Sequence, residues 1–130
     1  MAPKRYRIAV IPGDGIGQEV TPAALGVLDV VTRRAGVTLE CVEHPWGCDY
    51  YRKTGRMMAP DALDQLRAAD AIYLGAIGHP SVPDHVSVWE LILPIRQRFE
   101  QYVNLRPMRL LPGVACPLAG RAPADIDMVC

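Results

Sequence analysis

Residues 7–20, RIAVIPGDGIGQEV, decide the fold of this chain. Residues 7–11 form a β-branched apolar run that Pro12 and Gly13 close, which predicts a strand buried on both faces, as in a parallel sheet. A glycine-rich turn, GDGIG, follows this strand. The chain therefore opens with the strand and turn that are typical of an α/β protein.

A helix is predicted to follow the turn, from Gln18 to about Ala35. Pro22 falls within its first turn, where the missing N–H has no intrahelical acceptor, and Gly36 is placed to end it. Apolar residues recur at i, i+3, i+4 and i+7 spacing, which indicates one buried stripe. This stripe comprises Val20, Ala23, Ala24, Val27, Leu28 and Val31.

The alternation of strand and helix continues along the chain. The pattern predicts further strands over residues 37–46, 71–74 and 126–130, and helices over residues 47–53, 60–70 and 88–99. Residues 102–111 are predicted as a longer strand or an extended crossover. Pro94 either kinks the last of these helices or begins its C-terminal half. The fold class that this order indicates is α/β, with a mainly parallel sheet flanked by helices.

Composition excludes several classes of protein. The 130 residues carry 14 basic and 14 acidic side chains, for a net charge of zero, and 50% are hydrophobic. That apolar content excludes disorder, and the interleaved charges give no basic stripe for a nucleic acid. No apolar run approaches the roughly 20 residues that span a bilayer, so we expect no membrane partner. The four cysteines form no C-x-x-C pair, which indicates reduced thiols and a cytoplasmic protein.

The GDGIG turn is the first candidate site. Glycines between a strand and a helix suit a phosphate-binding turn, because the backbone can approach a ligand and the helix N-terminus favours anions. A G-x-G-x-x-G pattern begun at Gly13 needs glycine where Gln18 stands, however, and Asp14 would repel phosphate. The residues alone leave two interpretations open, a ligand site and a tight structural turn.

Two arginines form the second candidate, Arg96 near the end of the last helix and Arg106 within the sequence NLRP. Guanidinium groups that converge from two elements bind a carboxylate through paired hydrogen bonds. Most arginines are simply solvated, however, and Arg98 and Arg109 fit that alternative.

Other polar clusters are weaker candidates. His79, Asp84 and His85 lie in a proline-rich loop without the helical spacing of a metal site, so we interpret them as loop-lining residues. Tyr50 and Tyr51 are interpreted as packing residues and Lys53 as a solvated one, because no pattern places them in a cleft.

Four segments, in this order and at this spacing, resemble one family. They are RIAVIPGDGIGQEV (7–20), DAIYLGAIGHP (70–80), LPIRQRFEQYVNLRP (93–107) and LLPGVACPLAGR (110–121). Together they resemble the β-decarboxylating 2-hydroxyacid dehydrogenases, the isopropylmalate and isocitrate dehydrogenase family, over residues 7–130. Residues 44–58, 82–96 and 101–107 are most similar to its tartrate and D-malate branch.

The resemblance implies NAD-dependent oxidation of a small 2-hydroxy diacid such as tartrate or D-malate, with decarboxylation of suitable substrates. It implies that Mg²⁺ or Mn²⁺ assists at the substrate hydroxyl. Arg96 and Arg106 would bind a substrate carboxylate. Trp89 and Ile92 would contact the group on the substrate carbon farthest from the reacting hydroxyl. The cofactor-binding residues that it implies are Ile11, Gly75, Ala76, Ile77 and Gly78. An isopropylmalate enzyme of the same family is the alternative.

The resemblance also implies parts that lie beyond residue 130. These are the catalytic tyrosine and lysine, the metal-binding aspartates, a third substrate arginine and the adenosine-binding loop. The resemblance further implies that the full-length protein is a homodimer. Residues 1–100 would be the N-terminal part of the first, cofactor-side domain, and residues 101–130 a crossover into a truncated second domain. We therefore expect an incomplete isopropylmalate dehydrogenase-like fold and an inactive fragment. A stand-alone remnant that binds a nucleotide or diacid without turnover, and a chain that never folds, are the alternatives.

Overall fold

The computed structural model describes residues 4–130 as two compact units, the first ending at Arg98 and the second comprising Phe99–Cys130. Residues 1–3 of the predicted first domain lie outside the described residues. The first unit alternates strands and helices: β1 (Lys4–Gly13), α1 (Gly17–Arg34), β2 (Val37–Glu43), α2 (Cys48–Thr54), α3 (Ala62–Arg67), β3 (Ala71–Ala76), α4 (Asp84–Ser87), a π-helical turn (Val88–Ile92) and α5 (Leu93–Arg98).

A three-stranded parallel sheet organises the first unit, in the order β2-β1-β3. Ile8 of β1 pairs with Cys41 on one side and with Ala71 on the other. Because β1 is central, Ala9, Val10 and Ile11 are at most 2% exposed. The predictions of a strand buried on both faces and of an α/β fold with a parallel sheet are confirmed.

The carboxyl ends of the three strands meet at one edge of the sheet. β1 ends at Gly13, β2 at Glu43 and β3 at Ala76. The next strand in the chain, β2, pairs with one side of β1, and β3 pairs with its other side. Such a reversal of strand order opens a crevice at the end of the central strand, which is where α/β proteins bind ligands.

Helix α1 follows the turn as predicted, but it buries a different face. Gly17 and Thr21 are its buried residues, whereas Val20, Val27 and Val31 are 45%, 64% and 56% exposed. The prediction that these valines belong to one buried stripe is wrong. A three-stranded sheet covers only one side of the helix, and α1 has more apolar residues than that side accommodates.

Pro22 also departs from its predicted place. It is the sixth residue of α1, which begins at Gly17, so it lies past the first turn. Its missing N–H leaves the carbonyl of Gln18, four residues earlier, without an intrahelical donor. The helix nevertheless continues to Arg34, and Gly36 follows its end with a positive φ of 67°.

Two predicted elements are shorter than expected. The second strand ends at Glu43 and not at Trp46, because Pro45 has no N–H for the ladder and Trp46 instead donates to the carbonyl of His44 at 2.9 Å. The helix predicted over residues 60–70 is confined to Ala62–Arg67, with Ala62 and Leu66 buried.

The last helix of the first unit has three parts. The four-residue α4 precedes the π-helical turn, in which the amide of Leu93 donates to the carbonyl of Val88, five residues earlier. Pro94 is then the second residue of α5, so it begins the C-terminal half, one of the two predicted alternatives. A proline ring clashes with the carbonyl four residues before it, and the wide turn relieves that clash.

The second unit contains little regular structure. Strands β4 (Pro107–Arg109) and β5 (Asp127–Val129) pair antiparallel, and Pro123–Asp125 forms a 3-10 turn. Of residues 102–111, predicted as a longer strand or an extended crossover, only Pro107–Arg109 form a strand. Backbone hydrogen bonds in both directions between Arg106 and Cys130, at 2.8 and 3.0 Å, extend the two-stranded ribbon by one pair.

Candidate functional site

Asp14 lies in the turn after β1, at the carboxyl edge of the sheet, and is only 3% exposed. Its carboxylate accepts hydrogen bonds from three backbone amides. Oδ1 is 2.8 Å from the amide of Cys48 and 3.2 Å from that of Asp49, and Oδ2 is 3.0 Å from Cys48 and 3.1 Å from Gly78. One side chain thus joins the first turn, the start of α2 and the loop after β3.

These hydrogen bonds determine the charge of the group. Burial alone would raise the pKa of Asp14, but the hydrogen bonds from Cys48, Gly78 and Asp49 outweigh it, and the pKa lies below its ordinary value of 3.8. The same arrangement raises the pKa of the Cys48 thiol to about 12, through burial and the neighbouring carboxylate. Asp14 is therefore a buried anion, and Cys48 is a neutral thiol.

This arrangement favours the second of the two interpretations of the GDGIG turn. The amides that an external anion would use at α2 and at Gly78 already bind the carboxylate of Asp14. Tight packing in this turn also requires a residue without a side chain, because a Cβ on Gly17 would overlap the carbonyl oxygen of Pro12 and lie 2.9 Å from the amide nitrogen of Ala76. The turn is a structural junction of backbone segments.

The predicted cofactor residues lie beside this junction. Ile11 is fully buried in β1, Gly75 and Ala76 end β3, and Ile77 and Gly78 follow it. A Cβ on Gly75 would meet protein atoms, but one on Gly78 would have none within 4 Å. Gly78 is thus the glycine of this loop with open space beside it, where a planar group could approach the backbone.

Three predicted substrate residues lie on the last helix of the first unit. Trp89 is 65% exposed and Ile92 is half-buried, both within the π-helical turn. Arg96 is half-buried on α5. A large aromatic side chain that solvent can reach is available to contact a ligand. Glu90, between them, is exposed.

Arg106 lies in the second unit and is exposed. Its Nε donates to Oδ1 of Asn104 at 3.4 Å, and its backbone is fixed by the pairing with Cys130. Arg109, three residues on, is paired with Asp127 at 3.6 Å. Arg96 belongs to the first unit, so the meeting of Arg96 and Arg106 over one carboxylate stays a prediction.

A cavity of about 420 Å³ adjoins Asp14. Its walls come from three segments, with Pro12, Gly13, Asp14 and Gln18 from the first, Glu43, Pro45, Trp46 and Gly47 from the second, and Asp49, Tyr50 and Lys53 from α2. Lys53 is exposed, in agreement with its interpretation as solvated, and Tyr51 is half-buried. Tyr50 borders the cavity, which the sequence did not indicate.

His44, which no sequence pattern singled out, lines a separate cavity of about 200 Å³ together with Arg7 and Gln65. It is 9% exposed and stacks on Trp46 with ring centroids 4.3 Å apart. Burial, and secondly the positive charge of Arg7, lower the pKa of His44 below its ordinary 6.5. His44 is therefore a neutral packing residue at neutral pH.

The loop histidine His79 is held by its own loop. Its Nδ1 accepts a hydrogen bond from the Ser81 amide at 3.1 Å and lies 2.8 Å from the Ser81 hydroxyl. His85 is exposed on α4. Among residues 4–130, no group of three histidine, cysteine, aspartate or glutamate side chains is placed to hold a metal ion.

Comparison with known proteins identifies the family. The model of the isocitrate/isopropylmalate dehydrogenase family matches residues 7–130, and the chain belongs to that family. It is 53% identical over 126 residues to a D-malate dehydrogenase [decarboxylating] of Escherichia coli K12, covering 95% of this chain and 35% of the relative. It is 51% identical over 126 residues to a tartrate dehydrogenase/decarboxylase of Pseudomonas putida, covering 95% and 34%.

A solved structure supports the fold. The crystal structure of a β-decarboxylating dehydrogenase from Thermococcus kodakarensis matches with a TM-score of 0.57 and 30% identity, over 96% of this chain and 40% of that one. The predicted family and isopropylmalate dehydrogenase-like fold are confirmed. The chain spans about a third of the length of the curated relatives it matches. Within residues 4–130, no helix has both the length and the apolar content to cross a membrane.

Proposed function

We propose that the full-length protein carrying this chain oxidises D-malate or tartrate with NAD and decarboxylates suitable substrates. The observation that carries the proposal is the family match over residues 7–130, with about half of the residues identical to enzymes named for these two diacids. The relatives are named as decarboxylating dehydrogenases. The substrate and the cofactor of the full-length protein are our proposal.

NAD, when bound, accepts a hydride from the hydroxyl-bearing carbon. This chain's part is to hold the nicotinamide at the carboxyl edge of the sheet, with the loop of Gly75, Ala76, Ile77 and Gly78 against it. The open space beside Gly78 fits a planar ring, and the position at the end of a central parallel strand fits a dinucleotide. Ile11, in the buried strand, supports this edge from within.

Arg96 and Arg106 bind the carboxylate farther from the reacting hydroxyl. Two guanidinium groups that bind one carboxylate fix its plane as well as its position, and they thereby hold the substrate C–H toward the nicotinamide. Orientation of this kind contributes to the rate because the reacting atoms are already aligned. The Asn104 contact to Nε of Arg106 preorients that side chain.

Trp89 and Ile92 contact the far end of the substrate and set its size. The exposure of Trp89 supports this role, since a surface indole can close over a small polar diacid. The same two apolar side chains suit an isopropyl group, so isopropylmalate oxidation is the second candidate.

Mg²⁺ or Mn²⁺ would polarise the substrate's hydroxyl oxygen when bound. The described residues offer no cluster of three metal ligands, and we expect the ligands outside this chain. No step assigned here to residues of this chain depends on the metal. We further expect a cytoplasmic protein that forms a homodimer. Size-exclusion chromatography with light scattering of the full-length protein tests the oligomeric state.

The proposal is tested with the full-length enzyme, NAD or NADP, and a panel of D-malate, tartrate and isopropylmalate at matched concentrations with Mn²⁺. We expect kcat/KM with NAD to be highest for D-malate or tartrate. A preference for isopropylmalate would replace the first candidate by the second. Saturable heat on titration of the 130-residue chain alone with NAD would favour a stand-alone binding protein.

A further inference from the structure

We propose that Asp14 is a positioning residue for the cofactor loop, residues 75–78, whose backbone it holds against the start of α2. The inference rests on the proposed function in one respect, which is that this loop lines the nicotinamide. The proposal concerns how the loop is held, and it assigns Asp14 no contact with cofactor or substrate.

The backbone and the side chain of Asp14 hold the loop at two points. Its amide donates to the carbonyl of Ala76 at 2.6 Å, and its Oδ2 accepts from the amide of Gly78 at 3.1 Å. The two bonds lie on either side of Ile77. Ala76 is the last residue of β3, so the strand ladder no longer fixes the chain beyond it. The carboxylate of Asp14 takes over that task for Gly78.

The carboxylate of Asp14 is also held at the start of α2. The amides of Cys48 and Asp49 bind the same carboxylate, and Gly47 precedes them so closely that a Cβ there would lie 2.8 Å from Oδ1 of Asp14. A side chain that is only 3% exposed and bonded to three amides has one available orientation. The carboxylate of Asp14 therefore fixes the position of Gly78 relative to α2.

A carboxylate suits this position because only an acceptor can serve three converging donors. Asparagine offers one oxygen, and its amide group would face an N–H donor in place of the second. Hydrogen bonds to a charged acceptor in a buried site are stronger than those to a neutral one. Both oxygens are engaged, so Asp14 has no role as an acid or base with substrate.

Asp14→Asn tests the proposal, with Asp49→Asn as the matched control. Asp49 is a neighbouring carboxylate whose side chain, among the described residues, forms a hydrogen bond and ion pair only with the exposed Arg52, at 3.3 Å. Amide exchange at Gly78 and steady-state kinetics are measured in the full-length enzyme. In Asp14→Asn we expect exchange at Gly78 to be roughly tenfold faster or more, the factor for loss of one hydrogen bond to a charged acceptor.

The kinetic expectation is specific to the cofactor. KM for NAD should rise about fivefold or more in Asp14→Asn, while KM for the diacid at saturating NAD stays within about twofold. The Asp49→Asn enzyme should match the wild type in both quantities and in exchange at Gly78. Unchanged exchange at Gly78, or equal increases in both KM values, would overturn the proposal.

A second variant, folded in the presence of formate, covers the case in which Asp14→Asn fails to fold. Asp14→Ala leaves a space the size of a carboxylate, and formate at molar concentration should restore the slow exchange at Gly78, whereas chloride at equal ionic strength should not. Failure of formate to slow exchange at Gly78 would contradict the proposed role of Asp14. The proposed function fails separately, if the wild-type enzyme reduces no NAD with any diacid of the panel.

Discussion

A Cβ atom on Gly75 would overlap the carbonyl oxygen of Pro12 and lie 2.7 Å from Oγ1 of Thr21. Here β3 packs so closely against the end of β1 and the start of α1 that position 75 has room for a hydrogen atom but not for a side chain. Thr21 Oγ1 is itself buried without a hydrogen-bond partner among the described residues. Close packing here outweighs the cost of that unpaired hydroxyl.

Gly75→Ala should therefore destabilise the chain. We expect the free energy of unfolding in urea to fall by about 1–3 kcal/mol, because rigid backbone must move to admit the methyl group. Gly26→Ala is the control, since a Cβ there meets nothing within 4 Å and helix propensity alone should stabilise α1 by about 0.5–1 kcal/mol. Equal stability of Gly75→Ala and wild type would contradict this account of the packing.

Cys48 should be chemically inert in the folded protein. It is fully buried, and burial together with the carboxylate of Asp14 raises the pKa of its thiol to about 12. The thiolate is the nucleophile, so iodoacetamide at pH 8 should label the exposed Cys41 and leave Cys48 unlabelled until urea unfolds the chain. Peptide mass spectrometry resolves the two sites. Equal rates at Cys41 and Cys48 before unfolding would refute the prediction.

His44 should make the fold sensitive to mild acid. Its folded pKa is lowered, by burial and then by Arg7, so the unfolded chain takes up a proton first as the pH falls. The stability that it contributes is complete above pH 6.5 and is lost as the pH falls toward the folded pKa. His44→Phe keeps a ring against Trp46 and removes the titration. Urea unfolding at pH 7.5 and 5.5 should show a smaller difference for the variant, and an equal difference would exclude His44 as its source.

Arg106→Ala should impair the full-length enzyme through its substrate. Loss of charge-assisted hydrogen bonds worth roughly 1.5–3 kcal/mol each lowers kcat/KM for the diacid at least about tenfold. Arg109→Ala is the control, because Arg109 pairs with Asp127 on the exposed ribbon and has no predicted part in binding. Steady-state kinetics at saturating NAD separates the two variants. If kcat/KM is unchanged in Arg106→Ala, the carboxylate is bound elsewhere.

The first strand, the first helix and β3 were predictable because local patterns determine them. The five consecutive buried residues of β1, Ala9–Gly13, need a run without charged side chains, and glycines stand where the chain turns. The exposed valines of α1 were mispredicted, because spacing shows which residues share a face but not how much of that face a neighbouring element covers. Only the packed structure shows that Val27 is left outside.

Asp14 was interpreted only as a residue that repels phosphate, because its partners are remote in sequence. Cys48 is 34 residues away and Gly78 is 64 residues away, and neither carries a side-chain feature that marks its amide as a donor. The π-helical turn was missed for a different reason. Its apolar residues fit an α-helical stripe, and Pro94 alone hinted at an irregularity.

The π-helical turn, Val88–Ile92, holds one residue more than an α-helical turn would. Each residue rotates an α-helix by about 100°, so deleting one residue here would swing Trp89 around the axis relative to Arg96 while every other amino acid stayed the same. The direction of this indole is thus fixed by residue count and not by residue type. Single-residue deletions in this turn offer protein engineers a way to change the direction of this exposed side chain that no point substitution provides.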